Sequence, residues 1–450
     1  MKDMTKGSPT RLILTFAIPV LIGNLFQLLY NLADTRIVGA YLGETALAAV
    51  GATGSINNML IGFLMHLMNG MAIITARFFG ADDRDNVRRT VAGVVVLGLS
   101  TAAVLTALSV ALLTPLLRVL NTPDHLLPLS AAYFRIILLG MVVTVLYNGC
   151  AALLRAIGDT VTPLIFLVLA VGLNIGLDLL FVCVFHWGVE GAAGATVLAQ
   201  AVSAVLCILY IARKYPVLHP ARRDFRLDPG MLIQMYVSGL CMGFMQSLVS
   251  AGSVILQGSI NTFGDAIIVA HTAARRLTEL FMMPFGVLGT AMATYASQNY
   301  GAGRYDRVRA GVLRSLALGL GACALASLAS FTIAPTLISW ITGGAGQEIV
   351  DTASLYLRVD TSLYFVTMVI VVYRNTLQSI GDHITPIVSS LCETFGKLAA
   401  VVLLIPRLDY FGVILTEPIV WCIMVIPLIV RLHGSPVMRR PRAGERASAS

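Results

Sequence analysis

The sequence predicts an all-α polytopic membrane protein: twelve transmembrane helices in two six-helix lobes related by a pseudo-two-fold axis along the membrane normal. Three observations carry this reading. Of 450 residues, 57% are hydrophobic and only 12% charged, against roughly 25% charged in a soluble domain, and mean hydropathy is +0.83. Apolar runs longer than about 18 residues recur along the whole chain, as bilayer-spanning helices require. Basic residues fall in alternate connections and at both chain ends, which is the positive-inside pattern rather than a nucleic-acid surface.

Splitting the apolar runs at charges and at Pro/Gly punctuation places spans near 12–38, 46–76, 89–113, 129–153, 162–184, 191–212, 231–259, 266–297, 308–332, 352–376, 385–406 and 411–430. The first is too long and Pro-broken, and lacks the small-residue cleavage site, of a removed signal peptide. One class of connection holds Lys2, Lys6 and Arg11, then Arg77, Arg84, Arg88 and Arg89, then Arg155, Arg213–Arg226, Arg304–Arg309 and the tail; the other holds little more than Arg118 and Arg407. Both termini are therefore expected in the cytoplasm, as an even number of spans demands. The organisation follows: an N-terminal lobe over 1–212, a basic linker over 213–229, a C-terminal lobe over 230–432, and a disordered cytoplasmic tail over 433–450. Seven scattered Cys without a CxxC pair suggest neither a disulfide framework nor a zinc site.

The halves resemble each other. RFFGADDRDNVR (77–88) matches QNYGAGRYDRVR (298–309), setting Gly80 on Gly301, and the same displacement sets Gly43 on Gly264. LRAIGDTVTP (154–163) matches LQSIGDHITP (377–386). Six spans per copy start both copies on the same side, so the repeats are parallel. In these loops Gly80/Gly301 and Gly158/Gly381 would permit tight reversals. Asp159 and Asp382 would accept N–H bonds at the next helix start, with Pro163 and Pro386 one turn in.

Polar residues inside apolar spans mark candidate sites. In span 1, Gln27, Asn31 and Asp34 lie at i, i+4, i+7 on one face, joined by Tyr30. A carboxylate at a helix centre costs roughly 2.5–3.5 kcal/mol on insertion scales, so this stripe calls for a bundle interior or a wet cavity. Span 5 carries Asn174 and Asp178 one turn apart, and span 6 carries Thr196 near its outer end. Followed from the cytoplasm, Asp34, Asn174, Asp178 and Thr196 reach one outer-leaflet depth. Two carboxylates, an amide and a hydroxyl suit Na⁺, or a proton shared between like charges. The plainer alternative is that the acids hydrogen-bond across helices. At the repeat displacement Asp34 corresponds to Ile255, so a scaffold role shared by both copies is not preserved there. Tyr133 and Asn148 in span 4 fit a substrate cavity, Tyr30 and Tyr133 equally an aromatic interface belt. In the second half Gln257, Glu279 and Asp360 are candidates for substrate or cation contact. Glu279 beside Arg275 and Arg276, and Glu393 with Lys397 at i, i+4, also read as ion pairs, and His271 as a packed or hydrogen-bonded side chain. The Met-rich stretches suit either an adaptable cavity or plain packing. Pro19 is a candidate hinge in span 1.

These motifs resemble the multidrug and toxic compound extrusion (MATE) transporters. The marks are PVLIGNLFQLLYNLADTRIVGAYLG, RFFGA, LRAIGDT, WGVEGAAGAT, NYGAGRYDRVR and SIGDHITP, spread over residues 8–432. The resemblance implies two lobes around a V-shaped cleft, alternating access, and antiport of lipophilic, mostly cationic organic compounds against Na⁺ or H⁺ with no cofactor. It sets the family's coupling residues on Asp34, Asn174, Asp178 and Thr196, and its cavity residues on Tyr30, Tyr133 and Asn148. Some relatives carry an acid in span 7, where this chain has Gln246 and Gln257. The expected partners are small amphipathic or cationic drug-like substrates and the lipid bilayer, with no nucleic acid; the expected form is a monomer in a bacterial cytoplasmic membrane. The rival reading is a flippase for a lipid-linked or amphipathic metabolite, which would want a basic cavity. No nucleotide loop, HExxH or nucleophile elbow points to an enzyme.

Overall fold

A computed structural model describes residues 3–119, 122–344 and 346–439. Residues 440–450, most of the tail expected to be disordered, lie outside the described residues.

The described elements are all helical: α1 (Pro9–Gly80), α2 (Arg84–Ala111), α3 (Leu113–Val119), α4 (Leu127–Leu139), α5 (Met141–Ala156), α6 (Val161–Asp178), α7 (Gly188–Lys214), α8 (Pro229–Ile260), α9 (Asp265–Gly301), α10 (Tyr305–Thr332), α11 (Ala334–Ile341), α12 (Gln347–Ser362), α13 (Tyr364–Ser379), α14 (Ile384–Ala399) and α15 (Ile405–Gly434), with short 3₁₀ and π turns between. Among the described residues, eight helices are long and apolar enough to cross a membrane, or ten if each of two bent pairs is one span. Large apolar side chains such as Val104, Val254 and Leu325 stand 66%, 69% and 69% exposed, as lipid-facing surfaces do. The chain is a polytopic membrane protein.

Two long runs are interrupted. A straight α1 of 72 residues would reach about 108 Å at 1.5 Å per residue, far beyond a hydrocarbon core of about 30 Å. Gly43 breaks it with φ 83° and ψ 179°, a backbone region open essentially to glycine alone. Its repeat partner Gly264 has φ 88° and ψ 169° and precedes α9. In α15 the break falls at Asp409, φ 50°.

Two spans read from sequence as single runs are bent. The stretch expected over 129–153 is α4 and α5 meeting at 46°, and the one expected over 352–376 is α12 and α13 meeting at 50°. At the first bend, a Cβ on Gly140 would collide with Val197 Cγ2, so α7 presses against bare backbone. Pro19, the candidate hinge, lies inside a helical stretch of α1, whose non-helical backbone is at Gly43.

The duplicated loops behave as turn chemistry predicts, with one correction. Gly158 and Gly381 have φ of 77° and 97°. Gly80 and Gly301 instead end their helices, and the left-handed residues come two positions later, at Asp82 (φ 56°) and Gly303 (φ 70°). Asp is among the few side chains that tolerate that region. Asp159 Oδ1 accepts the Thr162 N–H at 3.0 Å, and Oδ2 accepts from the Thr162 and Tyr215 hydroxyls at 2.6 and 2.5 Å. Asp382 repeats this with the Thr385 N–H at 3.1 Å, the Thr385 hydroxyl at 2.9 Å and Arg431 Nε at 2.6 Å. Burial pushes both carboxyls up, but these hydrogen bonds together outweigh it and hold both below the ordinary Asp value. A depressed folded-state value stabilises the fold above the unfolded value and is lost as pH falls through the folded one. Acid melting of the wild type should therefore steepen below the ordinary 3.8. Asp159→Ala and Asp382→Ala should each cost about 1 kcal/mol at neutral pH, as a lost cap does, and flatten that acid limb in thermal melts.

By packing, the described chain forms two units, chiefly Ile18–Gln246 and, for the second, Met4–Ala17 with the chain from Ser247 onward. The connection over 213–229, expected as the linker, folds as two short 3₁₀ turns against α2 and α7 within the first unit. The first core gathers Leu64, Leu67, Met68, Met71, Val145 and Met235, and the second gathers Leu256, Ala270, Ala274, Tyr356, Leu357 and Val413. Met68 and Met71 are thus packing residues, whereas Met65 lines a cavity. In the second unit Met4 N–H donates to Gln298 Oε1 (2.9 Å), Arg304 donates to Thr5 O (2.8 Å), and Arg309 Nε donates to Val437 O (2.6 Å). Met4, Thr5 and Val437 are thus tied to residues around the α9–α10 turn.

Candidate functional site

The first unit contains a cavity of about 470 Å³, within the range of small-molecule sites. The α1 face that lines it runs from Pro19 through Gln27, Tyr30 and Asn31 to Asp34, about 22 Å of helix. The helical spacing read from sequence is what gathers these residues. Tyr133, Thr144 and Asn148 line it from α4 and α5, and Thr196 and Gln200 from α7.

At the Asp34 end the coupling candidates meet. Asp178 is 0% exposed and Asn174 3%, and the Asp34 and Asp178 carboxyls lie within hydrogen-bonding reach of each other. With its amide turned to satisfy both ends, Asn174 donates to Asp178 Oδ2 at 2.9 Å and accepts the Thr196 N–H at 3.2 Å. The opposite orientation offers only a 3.4 Å contact from its nitrogen to Thr196 Oγ1. The Tyr30 and Thr196 hydroxyls are 3.4 Å apart, and Thr196 Oγ1 donates to Ala192 O at 3.2 Å. Asp178 closes α6, which widens at once into a π turn over Leu179–Val184, a local irregularity common at functional positions. Among the described residues Asp178 Oδ1 has no hydrogen-bond donor. Two carboxyls in contact cannot both be bare anions in an apolar surround; they need a proton or a cation between them. The oxygens of Asp34, Asp178 and Thr196 fit a small hard cation. Among the described residues no three His, Cys, Asp or Glu gather as around a divalent or transition metal.

A family model described as MatE matches the chain twice, over residues 19–180 and again over 241–402. The chain belongs to the MatE family. The probable multidrug resistance protein YpnP of Bacillus subtilis (strain 168) is 30% identical over 306 residues, 68% of this chain and 68% of its own. The probable multidrug resistance protein YoeA of the same strain is 27% identical over 312 residues, 68% of this chain and 67% of its own. A crystal structure of a MATE protein in the bent conformation, 23% identical, aligns with a TM-score of 0.88 over 99% of this chain and 98% of that one, which shows the fold. MatE proteins are membrane transporters and not enzymes.

Several residues of the MatE cavity escaped the sequence reading. Thr144 lies one turn before Asn148 and Gln200 one turn after Thr196, and the two bond at 2.7 Å; helical spacing from the named residues would have found both. Asn24, Asn57 and Asn58 also line the wall. Arg155, read as a loop charge, lines the cavity and donates to Asn69 Oδ1 at 2.9 Å.

The second-unit candidates are not brought together. Gln257 and Glu279 are exposed; Gln257 donates to Asn261 at 2.8 Å, and Glu279 pairs with neither Arg275 nor Arg276. Asp360 is 1% exposed and accepts from Tyr364 (3.1 Å) and Thr278 (3.3 Å). His271 is packed, with Nδ1 3.2 Å from the Tyr410 hydroxyl and its ring edge-on to Tyr356. Lys397 pairs with Glu393 as its spacing suggests, and also with Glu417, which the sequence reading did not single out.

Proposed function

We propose that this protein is a secondary antiporter of a bacterial cytoplasmic membrane that exports lipophilic, mostly cationic organic compounds in exchange for H⁺ or Na⁺. The observation that carries this reading is the contact between Asp34 and Asp178 at the head of a drug-sized cavity. The multidrug names borne by its relatives YpnP and YoeA support the substrate class. We read twelve spans in two six-helix halves, since α1 and the run from α14 into α15 are each broken mid-length. The basic residues near the chain ends and the α9–α10 turn support cytoplasmic termini.

A proton or Na⁺ arriving from outside neutralises the acid pair. This removes the negative charge that holds a cationic substrate and relaxes the Asn174–Asp178–Thr196 bonds beside α1. Substrate and coupling ion thus favour opposite states of one site, which is what antiport requires. Pro19 serves as the yielding point of α1, because its missing N–H removes one helical bond.

The test is uptake into inside-out proteoliposomes under separately imposed pH and Na⁺ gradients, with a panel of organic cations and a lipid-linked sugar. Gradient-driven accumulation of the cations is expected. Movement of the lipid-linked sugar with no response to either gradient would replace this reading with a flippase.

A further inference from the structure

The two units treat the same three-helix pocket differently. In the first, α1 supplies Asp34, α6 supplies Asn174 and Asp178, and α7 supplies Thr196. The repeat gives α8, α14 and α15 as their counterparts, and backbone landmarks fix the register. Thr196 stands eight residues beyond the left-handed Gly188, and Glu417 stands eight beyond the left-handed Asp409. Asn174 stands sixteen residues beyond Gly158, and Lys397 sixteen beyond Gly381. A π turn follows each of α6 and α14. Asp34 has Ile255 as its counterpart.

At this repeated position the second unit holds an ammonium group. Lys397 Nζ lies 3.1 Å from Glu393 Oε1 and 3.0 Å from Glu417 Oε1, with Lys397 2% exposed and both glutamates 6%. Its stem lies flush on α8, where a Cβ on Gly252 would come within 3.0 Å of Lys397 Cδ. The surrounding charges balance. Arg374 acts on Glu393, and Arg275 acts on Glu417 and Asp360. Lys397, Arg374 and Arg275 thus act on these three acids, whereas among the described residues no basic group acts on Asp34 or Asp178.

We propose that Lys397 is a tethered stand-in for the exchangeable cation. It keeps the second unit's copy of the pocket filled, and its removal opens a site for one monovalent cation, Na⁺ or H⁺, between Glu393 and Glu417. The comparison rests on the first-unit coupling site, but the new site does not need that site to work.

The test uses the purified full chain with Lys397→Met. Two arms are read against wild type: Na⁺ binding at pH 8.5, and proton uptake in a pH jump without Na⁺. One additional cation per chain in either arm is expected. That cation should disappear in E393Q/K397M/E417Q and persist in D34N/K397M, which separates this inference from failure of the Asp34 site. Should K397M be unstable, melting is compared in Na⁺, at low pH and in N-methylglucamine at pH 8.5. Stabilisation by Na⁺ or by protons supports the proposal. Equal instability in all three, or a folded K397M with unchanged stoichiometry in both arms, overturns it.

Discussion

Asp34→Asn should reduce gradient-driven export by about 100-fold or more, the upper end of an ordinary coupling free energy, while the protein stays folded in the membrane. The amide keeps the shape of the carboxyl but can neither bind and release a proton nor bring charge to a cation. Asp178→Asn should do the same, and the double variant should be little worse than either single one, because residues acting as one unit are not additive. Immunoblots of membranes and melting of the purified variants separate lost coupling from lost protein. Wild-type efflux by Asp34→Asn would remove Asp34 from the mechanism.

Gly70→Val should destabilise the first unit by about 3 kcal/mol, the cost of forcing bulk into a closed packing position, with most of the protein lost from the membrane. A Cβ on Gly70 would lie 2.5 Å from Ser238 O and 2.7 Å from Gly239 Cα, and one on Gly239 would lie 2.8 Å from Leu67 O. Here α1 and α8 cross backbone against backbone, tied by Ser238 Oγ donating to Gly70 O at 2.7 Å. Small residues at such crossings are what bring membrane helices close, and no side-chain rotation can relieve a clash with main chain. Gly172→Val is the control. That site is exposed with nothing within 4 Å of its Cβ, so it should melt like wild type. Equal melting of both variants would remove the crossing from the account.

The meeting of Asp34, Asn174, Asp178 and Thr196 was legible because they are polar groups at matched positions along helices whose spacing fixes their faces. The loops around Gly158 and Gly381 were legible because they are local. The bends at Gly140 and Leu363 were not: neither carries a proline to mark it, and the packing of Val197 against Gly140 belongs to a helix far along the chain. Nor was the second unit's buried charge cluster. Depth alone cannot say which way a residue faces, so exposed Glu279 and Gln257 looked as promising as buried Asp360. Glu417 had no local partner to announce it, and its ion pair with Lys397 joins two helices. Arg155 was taken for a loop charge because it sits at a helix end, where positive-inside counting expects one.

Inside α1, between Ala17 and Ile18, and inside α8, between Gln246 and Ser247, the polypeptide passes from one unit to the other without leaving a helix. Neither unit can therefore be cut free at a loop, because a fragment made of one alone would begin or stop in the middle of an apolar helix.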